Sequence, residues 1–364
     1  MRWDNLRLDD SPHGTLPLAG DAQLPMFERG AVTRTFDTPG FRGMTFYEIQ
    51  AKSIVSRVPA TSHMPFTWTI NPYRGCQHAC SYCFARNSHT YLDLDAGEDF
   101  NRKVIVKVNA PDLLRSKLAS PGWKGGHIAM GTNVDCYQRA EGRYELMRGI
   151  IGALRDAANP FSILTKGTLI LRDLDLLLDA AEVTDVGLNV SAGFTDRSLW
   201  RSVEPGTPAP ERRLETCATF NDNGLACGVL MGPVIPYLSD SPAQLDATVR
   251  AIAEAGATSV TPIVLHLRPG TREWFMRWLR ENHPDLGGRY ATMYRRGAYA
   301  PKEYQARIAR QVAELADRHG IGRGRTVRGD RPRPVRRHSG HQTAQVAPDP
   351  RPAGAPEGEQ LTLL

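Results

Sequence analysis

The chain has 364 residues, 41% of them hydrophobic, and a formal net charge of +6. That length suits one large folded domain with tails, and no apolar run approaches the roughly 20 residues needed to span a bilayer. Seven arginines against one aspartate between Arg323 and Arg337 make up the whole charge excess. The remainder is balanced, which argues against a body that coats nucleic acid through a generally basic surface.

The N-terminal MRWDNLRLDDSPHG carries acidic residues and no apolar stretch, so it does not read as a signal peptide. Residues 1–60 are punctuated by Pro and Gly and read as a lead-in that packs on the domain behind it. From Phe66 the pattern changes. Strands are predicted at Phe66–Asn71, Val104–Asn109, His127–Gly131, Phe161–Thr165, Val186–Val190, Ala226–Met231 and Ser259–Leu265. Apolar residues three or four apart predict helices between them: Leu146, Ile150 and Leu154 mark one, Leu174, Leu177 and Leu178 another, Leu245, Val249 and Ile252 a third. This alternation predicts an α/β domain with a parallel sheet over residues 61–320, closed by a helix at Pro301–His319. About six βα units fall short of the eight of a closed barrel. Residues 321–364, rich in Arg, Pro and Gly, bury too little apolar surface to order themselves and read as a disordered tail.

Pro72 and Gly75 break the first of these strands. Cys76, Cys80 and Cys83, in NPYRGCQHACSYCFAR, therefore fall on a loop at its C-terminal end. No fourth cysteine is near, so a [4Fe–4S] cluster on these three thiolates would keep one iron open. A structural zinc site is the alternative, with His78 or His89 as a fourth ligand, although no second ligand pair follows. Cys136, Cys217 and Cys227 form no disulfide framework, and free thiols beside an oxygen-sensitive cluster fit a reducing cytoplasm.

The C-x3-C-x-aromatic-C string, with Tyr82 as the aromatic, resembles the signature of the radical S-adenosylmethionine (SAM) superfamily. The resemblance implies a partial (β/α)6 barrel of the TIM type with its chemistry at the C-terminal strand ends. It also implies SAM chelated on the open iron and an electron donor such as flavodoxin or ferredoxin. Reductive cleavage of SAM then yields a 5′-deoxyadenosyl radical that abstracts hydrogen from a substrate. Many members carry a Gly-Gly-Glu-like motif that contacts the SAM amino group; here Gly131, Thr132 and Asn133 occupy that place without matching it. Asp135, Gln138 and Glu141 add polar reach on the same segment, while Arg148 begins to face the next helix. Lys166, after Thr165 at a strand end, is a candidate for the SAM carboxylate. Asn189 and Ser191, polar residues in an apolar strand, are candidates for ribose or carboxylate contacts.

With Glu204-Pro205, Arg212-Arg213-Leu214 and Pro233-Val234-Ile235-Pro236, the motifs over residues 50–270 resemble the branch related to spore photoproduct lyase, which repairs a thymine-dimer lesion in DNA. The resemblance implies a lyase-like enzyme acting on DNA, with RNA, a protein or a small molecule as the other substrate classes. A non-catalytic iron–sulfur module recruited to DNA is a third reading. Lyases of that branch use a thiol hydrogen donor near the place where Gly131 stands; Cys136, five residues on, is the candidate here. Two features of the tail point to partners. The arginine-rich segment suits a polyanion, and Gln360–Leu364 (QLTLL) resembles the peptide that docks on the bacterial sliding clamp.

Overall fold

The computed structural model describes residues 31–59, 62 and 64–322. The first half of the lead-in, the arginine-rich segment and Gln360–Leu364 lie outside the described residues. The strands are β1 (Val32–Arg34), β2 (Thr45–Ile49), β3 (Val55–Arg57), β4 (Trp68–Ile70), β5 (Tyr73–Arg74), β6 (Lys103–Lys107), β7 (Ile128–Met130), β8 (Phe161–Thr165), β9 (Val186–Ser191), β10 (Cys227–Val234) and β11 (Val260–Val264).

Six of them form the expected parallel sheet, in the order β11-β10-β9-β8-β7-β4, with β3 added antiparallel beside β4. Among the described residues no ladder joins β11 to β3, so this is an open, partial barrel. The expected strand at Val104–Asn109 forms as β6 but is not part of this sheet. It pairs parallel with β2 and antiparallel with β5, in a second sheet ordered β1-β2-β6-β5. Its central Val104, Ile105 and Val106 are buried, as the apolar run requires, but such a run specifies burial and not which neighbour supplies it. The lead-in thus does more than pack on the core: β1 and β2 build the second sheet, and β3 extends the main one.

Helices Leu146–Asp156, Leu174–Val183, Pro210–Asp222, Pro242–Glu254 and Lys302–His319 accompany the parallel strands. Ile150 and Leu154, Leu177, Leu245, Val249 and Ile252, and Ile308 and Val312 join Ile163, Leu188, Val190, Val229 and Met231 in the principal core. Strand side chains alternate between faces, so the opposite face of the sheet carries Thr69, Ala129, Ser162, Gly187, Asn189, Ser191 and Gly228. A closed eight-stranded barrel fills its interior with bulky branched residues; these small and polar side chains leave that space open. A second apolar cluster, including Leu265, Phe275, Trp278 and Tyr290, covers the C-terminal end of the sheet.

Candidate active site

Beyond β4 the chain makes the short β5, turns at Gly75 (φ +83°) and enters the cysteine loop. A side chain at Gly75 would meet the Lys103 carbonyl at 2.7 Å, so the close approach of the loop to β6 requires glycine there. Cys76 packs into the principal core while Cys80 packs with Tyr82 in the second cluster, so the loop is gripped from both sides. Cys83, half-buried, precedes the 3-10 helix Phe84–Leu92.

Gln138 clamps the loop from the segment after β7: its Oε1 accepts from the Gln77 amide at 3.0 Å and its Nε2 donates to the Gly75 carbonyl at 3.0 Å. Asp135 ties the same segment to the end of β8. It accepts from the Thr165 hydroxyl and the Lys166 amide, each at 2.6 Å, and lies 3.4 Å from Nδ1 of the buried His78. The Nε2 of His89 lies 2.9 Å from the Lys103 carbonyl.

A buried charge cluster adjoins Cys80. The Tyr82 hydroxyl donates to Glu204, whose other carboxylate oxygen is paired with the buried guanidinium of Arg213. The ammonium of Lys166 donates to the Ser191 hydroxyl, sits 3.7 Å from Glu204 and lies 5.8 Å from the Tyr82 ring centroid. Burial alone would raise the Glu204 pKa; Arg213 and then Lys166 overcome it and hold the carboxyl at about 2. Gly206 closes the arrangement, since a Cβ there would stand 2.1 Å from the Gln77 carbonyl.

Of the expected SAM-binding residues, Lys166 and Ser191 are brought together beside the cysteine loop. Asn189 lies on the same inner face, next to Gly228. Thr132 shares a 2.8 Å hydrogen bond with Thr69, and Asn133 is half-buried on that loop. Glu141 takes a different part. It accepts from Tyr73, Arg172 and the amides of Leu146 and Met147, capping the helix Leu146–Asp156 away from the cysteines. Arg148 faces the following helix as expected, pairing with Asp173 and Asp175. Cys136 is fully buried in the principal core.

The donor set suits an iron–sulfur cluster. Burial, then Asp135 and the other two thiols, pushes Cys76 well above the ordinary thiol range. Burial and the nearby Glu204 raise Cys80 to about 12, and burial raises Cys83. Such thiols ionise when a metal takes the place of the proton. A cluster places each thiolate on a different iron, so three thiols on one loop can hold it. Buried polar atoms without partners, both ends of the Gln77 amide and the Ser81 hydroxyl, line the same loop.

The chain belongs to the radical SAM superfamily, whose family model, described as Radical SAM superfamily, matches residues 70–252. An uncharacterized protein of Mycobacterium tuberculosis is 48% identical over 301 residues, which cover 83% of this chain and 88% of that protein. Another, from Methanocaldococcus jannaschii, is 32% identical over 195 residues, covering 53% of this chain and 69% of that one. Among solved structures, spore photoproduct lyase complexed with dinucleoside spore photoproduct superposes with a TM-score of 0.59 at 14% identity, covering 81% of this chain and 85% of that one. A mutant of that lyase with bound AdoMet gives 0.58, also at 14% identity, covering 76% and 79%. The fold is therefore that of a radical SAM protein, and the cofactors of the family are a [4Fe–4S] cluster and SAM.

Proposed function

We propose that this chain is a radical SAM enzyme that holds its cluster on Cys76, Cys80 and Cys83 and acts on DNA, as a lesion-processing enzyme of the lyase kind. The observation that carries the reading is the juxtaposition of three thiols, two buried and one half-buried, with Lys166 and Ser191 at the C-terminal strand ends, beside an inner face of small side chains. When bound, the cluster and SAM supply one-electron cleavage of a carbon–sulfur bond that starts hydrogen abstraction.

The protein's own residues hold and orient. Gln138 and Asp135 fix the loop and the end of β8 relative to one another. Lys166, 3.7 Å from Glu204, offers its ammonium to the SAM carboxylate with the Ser191 hydroxyl as a second donor. Thr132, Asn133 and Asn189 are the remaining polar groups for the amino and ribose portions. The second apolar cluster covers the strand ends and keeps water from the reacting centre. Full burial of Cys136 supports core packing rather than hydrogen-atom donation.

A base-bearing substrate is supported by the rim beside Cys83. Phe84, His266 and Tyr299 form a row of rings with centroids 5.6 Å apart at each step, and Phe84 and Tyr299 are exposed. Arg268 lies over Phe84 and donates to the Tyr299 hydroxyl. Aromatic and guanidinium faces of this kind stack nucleobases. In this reading residues 61–320 form the catalytic unit, and the tail 321–364 adds polyanion contacts and clamp docking through Gln360–Leu364.

The test is anaerobic reconstitution with iron and sulfide, then dithionite and SAM, with 5′-deoxyadenosine measured alone and with UV-irradiated DNA, undamaged DNA or RNA. Stimulation by irradiated DNA above the others is expected. SAM cleavage indifferent to every nucleic acid moves the substrate to a protein or small molecule.

A further inference from the structure

Arg86 follows Cys83 by three residues, at the start of the helix Phe84–Leu92, and is 0% exposed. Its guanidinium lies between the rings of Trp274 and Phe100, 4.5 and 5.2 Å from their centroids. It donates to the carbonyl oxygens of Cys80 (2.9 Å), Ala96 (3.1 Å) and Gly97 (2.9 Å) and to Oδ1 of Asn101 (2.9 Å). None of these acceptors is a carboxylate. Two other cations near the cysteine loop, Lys166 and Arg213, share Glu204, whereas among the described residues no carboxylate is bonded to Arg86.

A guanidinium removed from water among neutral acceptors is costly unless an anion compensates it. The nearby acids are already engaged: Glu98 pairs with Arg102 and Asp99 with Lys103, each at 3.1 Å, and Asp95 accepts from the Gly97 and Asp99 amides. The ionisable groups that act on Arg86 ahead of Glu98 are Cys83, Cys80 and Cys76, in that order. Its guanidinium thus bonds no carboxylate, and its bond to the Cys80 carbonyl ties the charge to the cysteine loop.

We propose that Arg86 is the fixed counterion of the cluster held by Cys76, Cys80 and Cys83 and that it sets the cluster's reduction potential. This rests on the cluster assignment above. Reduction brings one electron from an external donor into the cluster; no bond or proton at Arg86 changes. A fixed cation in a low-dielectric setting favours the state with the extra negative charge, and so raises the potential.

The test is a redox titration followed by electron paramagnetic resonance on the reconstituted full chain, comparing wild type with Arg86→Met and Arg86→Lys. Arg86→Met is expected to lower the reduction constant at least tenfold, which for a one-electron couple is a midpoint about 59 mV more negative. Arg86→Lys is expected to stay near wild type because the charge remains. A fully loaded Arg86→Met protein with an unchanged midpoint overturns the proposal, because a merely structural clip would leave the potential alone. If Arg86→Met takes up no iron, Arg86→Gln, which keeps hydrogen-bond donors and removes the charge, is titrated in its place, and an unchanged midpoint there overturns the proposal. A wild-type chain that takes up no cluster overturns the underlying assignment, and this proposal with it.

Discussion

Replacing Glu204 by Gln keeps the shape of the side chain and removes one charge from a group held at about 2 against an ordinary value of 4.5. At 1.36 kcal/mol per unit that depression is worth about 3 kcal/mol. An independent argument gives the same scale: a buried ion pair that loses one partner costs roughly 3–5 kcal/mol, here because Arg213 stays behind at 1% exposure. The folded-state pKa is the lower one, so this stability is fully present above about pH 4.5 and is lost as the pH falls toward 2. Denaturant unfolding of the metal-free wild-type and Glu204→Gln proteins should differ by about 3 kcal/mol at pH 7. The gap should narrow below about pH 4.5. Equal stabilities at pH 7, or a gap that holds constant through the acid range, would refute the reasoning.

Three other outcomes follow from the same geometry. Lys166→Ala should leave the iron content intact while lowering SAM cleavage at least about tenfold through weaker SAM binding, read as a raised Kd in equilibrium dialysis. Gly206→Ala forces a Cβ to within 2.1 Å of the Gln77 carbonyl, so the cysteine loop must shift and reconstituted iron per chain should fall. Cys136→Ala should cost about 1–2 kcal/mol as a core truncation, with SAM cleavage retained; its loss in a folded, loaded variant would restore the thiol as hydrogen donor.

The cysteine loop was legible because three thiols, a strand and two breakers are local signals, and β8 formed over the very residues expected, Phe161–Thr165. The helical triads were legible for the same reason: Ile150, Leu154, Val249 and Ile252 are all fully buried. Partners were not. The run that became β6 announced burial, but nothing in it distinguished the main sheet from the second one, two of whose strands, β1 and β2, lie in a segment read as lead-in. The charge cluster shows the same limit. Glu204-Pro205 and Arg212-Arg213 stood out as a motif, yet the bond from Tyr82 to Glu204 spans 122 residues, and only the fold brings it about. Arg86 gave no signal at all, because an arginine after a cysteine motif looks like any solvated one. Glu141 was expected to reach the site and instead caps a helix, a role that depends on Tyr73 and Arg172 coming from elsewhere in the chain.

The central claim is that Cys76, Cys80 and Cys83 hold the cluster at which SAM is cleaved. The most direct test compares wild type and Cys80→Ala, reconstituted anaerobically in parallel and assayed for visible iron–sulfur absorbance and for 5′-deoxyadenosine after dithionite and SAM. A coloured wild type that forms 5′-deoxyadenosine beside a colourless, inactive Cys80→Ala protein is the predicted result. A variant that keeps its absorbance and its activity would contradict the account.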